Sequence, residues 1–266
     1  MPSTIGSDPE LLLYSEGLQM YVPSIGLLGG TKTEPFQVPN GAVQEDNVTA
    51  EFNIDPVSID DTAGFIANIK SVRQYLDNMV APHGLVSRVE SSAKYDAGFL
   101  DHPQAMASGC DPDINVYSMS TNNYPDIKSS DIRCAGGHIH FGSDDLFLDP
   151  GTRENFIKYC DYYIGAPLSV IDPDTERKKT YGAAGNFRYK PYGVEYRTPS
   201  NVWLQSDECM EFVVRGLKRA ENAVRNGNRI ALSTAEQILR TSISDDPNTT
   251  YDVLDRVTRS ELKRLP

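Results

Sequence analysis

The sequence predicts an α+β fold, in which a curved, mainly antiparallel sheet has a polar concave face and helices packed on its other face. Segments with strand-like patterns are separated by loops as well as by helices, and the chain ends in a helical portion. No G-x-G-x-x-G motif follows a strand and no P-loop occurs, which disfavours the two commonest nucleotide-binding folds.

The strand predictions depend on apolar runs and on alternation between apolar and polar residues. Residues 5–15 are predicted to form a strand because the run ELLLYS is short and is bounded by Pro9 and Gly17, and residues 48–54 alternate as a half-buried strand does. Residues 85–95, 132–141 and 194–198 are further predicted strands. Segments 21–41, 99–130 and 172–192 are predicted to be loops or irregular structure.

The helix predictions depend on apolar residues that recur every three or four positions. Residues 60–79 show this pattern most clearly, and Asp60 or Asp61 can cap the helix. Residues 152–170 and 208–225 are also predicted helices, and 233–240 and 251–262 are shorter ones. We expect one domain over residues 1–266, with 206–266 as its helical C-terminal portion.

Composition and charge exclude several classes of function. The chain has 266 residues and a formal net charge of −12, so its surface repels phosphate backbones and general nucleic-acid binding is not expected. It contains neither an apolar run long enough for a membrane span nor a signal-peptide pattern, which predicts a cytoplasmic protein. The four cysteines form no C-x-x-C pair, which disfavours a zinc ribbon or a disulfide framework.

Four pairs of polar residues, each pair two positions apart, are the strongest functional signal. They are Asp8/Glu10, Glu51/Asn53, His138/His140 and Glu195/Arg197. Side chains two apart in a strand point to the same face, and ionised groups on a buried face are costly unless they are paired or bind a metal. The pairs together predict a polar cleft, although each alone also fits an exposed strand, a histidine pair in the core or an ion pair.

The residue types of these pairs favour particular ligands. Carboxylate and amide oxygens dominate and only His83 and His102 remain as further imidazoles, so Mg²⁺ or Mn²⁺ is favoured over zinc. Mg²⁺ held by carboxylates commonly also contacts a substrate phosphate, which indicates a nucleotide such as ATP. A basic cluster that could neutralise such phosphates, or could be a solvated loop, comprises Arg177, Lys178, Lys179, Arg188 and Lys190.

The order of these segments resembles the carboxylate–amine ligases with the catalytic fold of glutamine synthetase and glutamate–cysteine ligase, and more narrowly the phage-type COOH-NH2 ligases. The stretches GSDPELLL, TAEFNI, GCDPD, GGHIHFG and GVEYRTPSNVWL carry the resemblance. It implies a glutamine synthetase-like catalytic domain that uses ATP and Mg²⁺ or Mn²⁺ to form an amide through an acyl phosphate. Small-molecule or peptide acids and amines would be its substrates, in the cytoplasm or, for a phage-encoded protein, the host cytoplasm. Homo-oligomerisation stays open.

The resemblance also implies roles for individual residues. The implied metal ligands are Asp8, Glu10, Glu51, His138 and Glu195, with Glu45 or Asp46 as a further carboxylate. The implied nucleotide-facing residues are His140, Arg177, Lys179 and Lys190. Glu51 and the phosphate-binding Arg188 and Arg197 are the predicted catalytic residues, and Asp111 or Asp113 is a candidate for ammonium recognition. The chain departs from the family pattern at Asn53, which is not acidic, and is far shorter than glutamine synthetase.

Three other functions remain compatible with the sequence. A guanidino kinase of the phosphagen type would use a related sheet and release a phosphorylated product without forming an amide. A metal-binding or substrate-binding protein would keep the fold without catalysis, and a mononuclear metal hydrolase would act without ATP.

Overall fold

A computed structural model describes most of the chain, and of residues 179 and 180 it describes the backbone alone. The described residues are 2–107, 113–122, 127, 130–149, 151–172, 174, 176–180, 182–231, 233–235, 237–238 and 254–266. The predicted helices at 233–240 and 251–262 therefore lie partly outside them. No helix among the described residues combines the length and the apolar character that a bilayer span requires.

Short and long strands alternate with loops through the first three quarters of the chain. Within the described residues the strands are β1 (Thr4–Ser15), β2 (Met20–Val22), β3 (Phe36–Val38), β4 (Gly41–Asp46), β5 (Thr49–Ile54), β6 (Val57–Ser58), β7 (Leu85–Arg88), β8 (Ser92–Lys94), β9 (Ile114–Asn115), β10 (Ser120–Thr121), β11 (Ile132–Cys134), β12 (Gly137–Gly142), β13 (Asn186–Lys190) and β14 (Gly193–Tyr196).

The helices lie between these strands and after them. The described α-helices are α1 (Thr62–Val80), α2 (Ala97–Leu100), α3 (Pro103–Met106), α4 (Thr152–Cys160), α5 (Ala166–Ile171), α6 (Glu176–Thr180), α7 (Asp207–Arg225) and α8 (Arg256–Leu262). A π-helical turn, Asp161–Gly165, joins α4 to α5, and 3₁₀ turns occupy Ala81–His83 and Asn201–Gln205. The Asp61 side chain accepts the Gly64 N–H at 2.9 Å, which identifies it as the predicted cap of α1.

One large sheet organises the molecule around its first strand. Its strand order is β10-β9-β13-β14-β12-β1-β5-β4-β3, and β2, β6 and β7 pair with other parts of β1. The pairs between these strands are antiparallel, and β8 and β11 form a separate two-stranded sheet. The predicted α+β class with a mainly antiparallel sheet is therefore confirmed.

The two faces of the sheet differ in polarity because side chains alternate along each strand. In β1, Leu11 and Leu13 are fully buried in the main core. Helices α1 and α7 contribute to this core and contact each other, and Phe65 of α1 stacks on Trp203 with ring centroids 6.1 Å apart. Each of these large side chains contributes about 2–3 kcal/mol to stability by its burial. Packing on the apolar face therefore stabilises the sheet whose other face carries the polar residues.

Several segments differ from the sequence-based expectations. Residues 132–141 form two strands rather than one, because β11 ends at Cys134 and the Gly136 backbone then lies against Glu10. The Glu10 N–H donates to the Gly136 carbonyl at 2.9 Å. Residues 85–95 likewise divide into β7 and β8, and β4 was not predicted.

All three segments predicted to be loops or irregular structure also contain regular structure, and 99–130 includes α3, β9 and β10. Segment 21–41 includes β3, and segment 172–192 includes α6 and β13. In β13, aromatic and basic residues alternate in the stretch FRYK, which is the residue pattern of a half-buried strand, although Phe187 is buried and Tyr189 is exposed.

Candidate functional site

Strand pairing brings polar residues from distant parts of the chain onto one face of the sheet. The Cα pairs are Asp8 with His138, Glu10 with Glu51, and His140 with Glu195. Because β1 lies between β12 and β5, its two acids connect the histidines on one side to the acids on the other. In three of the four predicted pairs both residues lie at the site. In the fourth pair, Asn53 lies opposite Ala42, two residues beyond Glu51.

Asp8, His140 and Glu195 form a first cluster, called here the histidine group. One potential ligand atom from each residue lies within 4.8 Å of those from the other two, and His140 Nε2 is 2.9 Å from Asp8 Oδ1. These atoms already take part in ion pairs, because Lys190 Nζ also lies 2.7 Å from Glu195 Oε2. Two carboxylates and one imidazole are nevertheless oxygen and nitrogen donors of the kind that divalent cations bind, so this donor set fits a bound cation.

Glu10, Asp46 and Glu51 form a second cluster, the three-carboxylate group. Their ligand atoms also lie within 4.8 Å of one another. The Gly136 N–H donates to Glu10 Oε2 at 2.6 Å, and the Gln44 amide donates to Glu51 Oε1 at 2.8 Å. Three neighbouring carboxylates supply the hard oxygen donors that Mg²⁺ and Mn²⁺ prefer.

The structure distinguishes Asp46 from Glu45, which the sequence left as alternatives. The Glu45 carboxylate accepts the backbone N–H groups of Gly26 and Leu28 at 3.0 and 3.1 Å, so it holds a loop. Asp46 lies two residues after Gln44 on β4 and therefore shares the face of the three-carboxylate group.

Burial and mutual repulsion govern the protonation of the three-carboxylate group. Burial and the neighbouring Asp46 raise the pKa of Glu10 to about 7. Burial, followed by the charges of Asp8 and Asp46, also raises the pKa of Glu51 well above its ordinary value. Without an added positive charge these carboxyls therefore retain protons more strongly than exposed acids do.

The opposite shift occurs in the histidine group. Burial and Asp8 oppose the ionisation of Glu195, but Arg197 and the two histidines outweigh them and lower its pKa to about 2. Burial likewise acts against ionisation of Asp8, yet His140 and His138 lower the pKa of Asp8 well below its ordinary value. Both carboxylates are therefore ionised at neutral pH, because neighbouring charges and histidine hydrogen bonds favour their ionised forms.

Three basic side chains surround the Glu195 carboxylate. Arg188 Nη1 lies 3.3 Å from Glu195 Oε1, Lys190 Nζ lies 2.7 Å from Oε2, and Arg197 Nη1 also contacts Oε1. Arg197 Nε is in turn 3.3 Å from Asp113 Oδ2, and the Asp113 side chain is fully buried. This end of the polar face thus carries a concentrated positive charge in a chain whose net charge is −12.

His138 lies deeper in the face than His140. Its Nδ1 is 3.5 Å from Asp8 Oδ1, 3.4 Å from Arg197 Nη1 and 4.0 Å from Glu195 Oε1. Burial and the Arg197 charge lower the pKa of His138 to about 4, so its imidazole is neutral at physiological pH. A Cβ at Gly136 would lie 2.4 Å from His138 Nε2, which explains why the residue two positions before this histidine is glycine.

Three further residues were predicted to belong to the site: Arg177, Lys179 and Asp111. The Arg177 guanidinium is buried and donates to the carbonyl oxygens of Thr198 and Pro199, each at 2.9 Å. The side chain of Lys179 and the whole of Asp111 lie outside the described residues. The nucleotide-facing roles of Arg177 and Lys179 stay predictions.

Gln44 and Tyr192, both at the site, were missed at the sequence level. Gln44 and Asp46 form a fifth polar pair in the stretch GAVQED, and the same two-residue spacing could have revealed β4. Tyr192, on the turn between β13 and β14, contacts His140, but no periodic pattern marks a turn residue in this role.

Comparisons with known proteins were made by sequence and by structure. The family model described as "Phage phiEco32-like COOH.NH2 ligase-type 2" matches residues 130–238. A search of curated proteins gives no match. Two solved structures, described as "Apo GmaS without ligand" and "GmaS/ADP complex-Conformation 1", are each 12% identical and align over 99% of this chain and 68% of their own, with TM-scores of 0.38 and 0.36.

The matched range contains both histidines of the site together with Arg188, Glu195 and Arg197, whereas the acids of β1, β4 and β5 lie before it. The family match confirms the resemblance to the phage-type COOH-NH2 ligases that the sequence predicts.

Proposed function

We propose that this chain is an ATP-dependent carboxylate–amine ligase that forms an amide through an acyl phosphate, with divalent cations bound at its site. One observation carries the proposal: two groups of oxygen and nitrogen donors lie on one sheet face beside a cluster of arginine and lysine side chains. The family match over residues 130–238 supports the same class of reaction.

The two donor groups would each hold one cation, Mg²⁺ or Mn²⁺. In the histidine group, the 2.9 Å distance between His140 Nε2 and Asp8 Oδ1 favours His140 over His138 as the imidazole ligand. Glu51 would act as a ligand within the three-carboxylate group. When bound, the cations would neutralise phosphate charge and polarise phosphoryl oxygens.

The basic side chains around Glu195 would bind the phosphates of ATP. Arg188, Lys190 and Arg197 converge on one carboxylate, and a phosphate group offers oxygens of the same charge type. Guanidinium groups aimed at a transferring phosphoryl group stabilise the charge that spreads over its equatorial oxygens. His138 would remain neutral beside Arg197 and limit the movement of its guanidinium.

The proposed reaction has two steps whose atoms balance. A carboxylate oxygen of the acid substrate attacks the γ-phosphorus of ATP, the bond between the γ-phosphorus and the β–γ bridging oxygen breaks, and ADP leaves. The amine nitrogen then attacks the acyl carbon, loses a proton, and inorganic phosphate departs. The main obstacle is the approach of a negative carboxylate to a negative phosphate, and the arginines beside Glu195 reduce this repulsion.

We also propose that residues 1–266 act as a single catalytic domain. Support comes from the central sheet, whose strands span Thr4 to Tyr196, and from a core that includes side chains of α7 and α8. Small-molecule or peptide acids and amines are the proposed substrates. The nucleotide would be bound in the presence of Mg²⁺ or Mn²⁺.

An ADP-release assay with Mg²⁺ and a panel of acids and amines tests this function. We expect ADP release that requires an acid, hydroxylamine trapping of the acyl phosphate, and loss of turnover in Glu10→Gln but not in Glu16→Gln, an exposed control at the end of β1. ADP release that needs neither an acid nor Glu10 would overturn the proposal. A stable phosphoguanidine product would instead indicate the guanidino kinase, and hydrolysis without ATP the metal hydrolase.

A further inference from the structure

We propose that Tyr192 is a positioning residue that holds His140 in the orientation and tautomer required for cation binding at the histidine group. This inference rests on the proposed function, since it concerns how one of the proposed ligands is presented. Tyr192 has no counterpart among the polar pairs that the sequence reveals, because it lies on the turn between β13 and β14.

The contacts of His140 form a continuous chain of polar groups. The Tyr192 hydroxyl is hydrogen-bonded to His140 Nδ1, and the opposite ring nitrogen, Nε2, lies 2.9 Å from Asp8 Oδ1. The two rings also stack, with centroids 5.9 Å apart and an interplanar angle of 26°. Both the rotation of the imidazole and the direction of its nitrogen atoms are therefore restrained from the Tyr192 side.

A backbone hydrogen bond connects the turn that carries Tyr192 to the end of the strand that carries His140. The Ser143 N–H donates to the Tyr192 carbonyl at 3.1 Å, directly after β12 ends at Gly142. Tyr192 is 45% exposed, so its ring covers the histidine group on one side and contacts solvent on the other. Its position depends on the turn rather than on burial in the core.

The chemistry of imidazole explains why this contact matters. A neutral imidazole has one N–H, and a nitrogen that binds a cation must offer its lone pair. When His140 Nε2 is the ligand atom, Nδ1 carries the proton and needs an acceptor, which the Tyr192 hydroxyl oxygen provides. Partners of this kind usually change metal affinity by about 10–100-fold when they are removed.

The same hairpin offers a matched control. Tyr189 is 40% exposed, close to the exposure of Tyr192, and its hydroxyl is hydrogen-bonded to Glu154 instead of a proposed ligand. Tyr189→Phe and Tyr192→Phe each remove one hydroxyl and keep the ring. Equal melting temperatures for the two variants would show that any difference in cation binding does not come from folding.

Calorimetric titration with Mn²⁺ tests the proposal in a Glu51→Gln background, which weakens the three-carboxylate group and leaves the histidine group intact. We expect roughly 10-fold weaker Mn²⁺ binding in Tyr192→Phe and unchanged binding in Tyr189→Phe. Equal affinities for the two variants would overturn the positioning role of Tyr192 and leave the proposed function standing. An absence of Mn²⁺ binding by the wild-type chain would overturn the proposed function and this inference with it.

Nitrogen NMR of histidine-labelled protein saturated with Mg²⁺ gives a second readout that does not involve turnover. The His140 signals are assigned with His140→Asn. We expect Tyr192→Phe to shift the Nδ1 resonance of His140 and Tyr189→Phe to leave it in place. An Nδ1 resonance that is the same in wild type and Tyr192→Phe would also overturn the positioning role.

Discussion

Replacing Glu10 by Gln should stabilise the protein without a divalent cation and remove the stabilisation that Mg²⁺ provides at the three-carboxylate group. Burial and Asp46 raise the pKa of Glu10 from an ordinary 4.5 to about 7. At roughly 1.4 kcal/mol for each tenfold change in proton affinity, ionised Glu10 costs up to about 3 kcal/mol.

The sign of this effect follows from proton linkage. A carboxyl whose pKa is higher in the folded than in the unfolded protein stabilises the fold while it is protonated, so stability falls as pH rises from about 4.5 to about 7. At pH 8 the whole cost is present, and glutamine removes the charge while its amide oxygen can still accept the Gly136 N–H. The melting temperature should then rise by up to roughly 6–12 °C.

Saturating Mg²⁺ should remove most of the difference in stability between the two proteins. A cation bound to the folded protein at about 100 times its dissociation constant stabilises the fold by about 2.7 kcal/mol, and the wild-type carboxylate is needed for this gain. Glu10→Gln should therefore lose the part of the Mg²⁺-dependent rise in melting temperature that comes from the three-carboxylate group, whereas the wild-type protein should show the full rise.

Thermal unfolding at pH 8 in EDTA and in Mg²⁺ measures both effects. Glu16→Gln is the control, because this exposed carboxylate should change stability by less than about 0.5 kcal/mol in either condition. If Glu10→Gln destabilised the protein equally in EDTA and in Mg²⁺, the repulsion inferred for the three-carboxylate group would be wrong.

Three further predictions concern residues that support the site. Gly136→Ala places a Cβ 2.4 Å from a buried imidazole and should lower stability in urea by about 1–3 kcal/mol, whereas Gly17→Ala, with no atom closer than 4.0 Å, should be neutral. Burial raises the pKa of Asp161 to about 6 from 3.8, so this carboxyl should contribute a fall in stability of about 3 kcal/mol between pH 4 and pH 6.5, and urea unfolding of Asp161→Asn should show a pH-dependent fall that is smaller than that of the wild type by this amount. Arg197→Met should cost about 3–5 kcal/mol in the same assay because it leaves the Asp113 charge buried with, among the described residues, only the Asn122 amide as a donor, and adding Asp113→Asn should restore part of the stability without restoring ADP release.

Some parts of the site could be predicted from local patterns. Residues two apart in β1 and β12 share a face whatever the neighbouring strands are, so the polar character of Asp8, Glu10 and the two histidines could be inferred from spacing alone. Asp46 could not be chosen over Glu45 in the same way, because the choice depends on which of them faces the site once β4 pairs with β5.

The sequence by itself determined which side chains share a face within each strand and which donor types are present. The tertiary structure alone decided that β1 lies between β12 and β5, and therefore that Asp8 belongs with His140 and Glu195 while Glu10 belongs with Asp46 and Glu51. The physical reason is that periodicity is a property of one strand, whereas register between strands depends on long-range pairing and on the helices that pack on the apolar face.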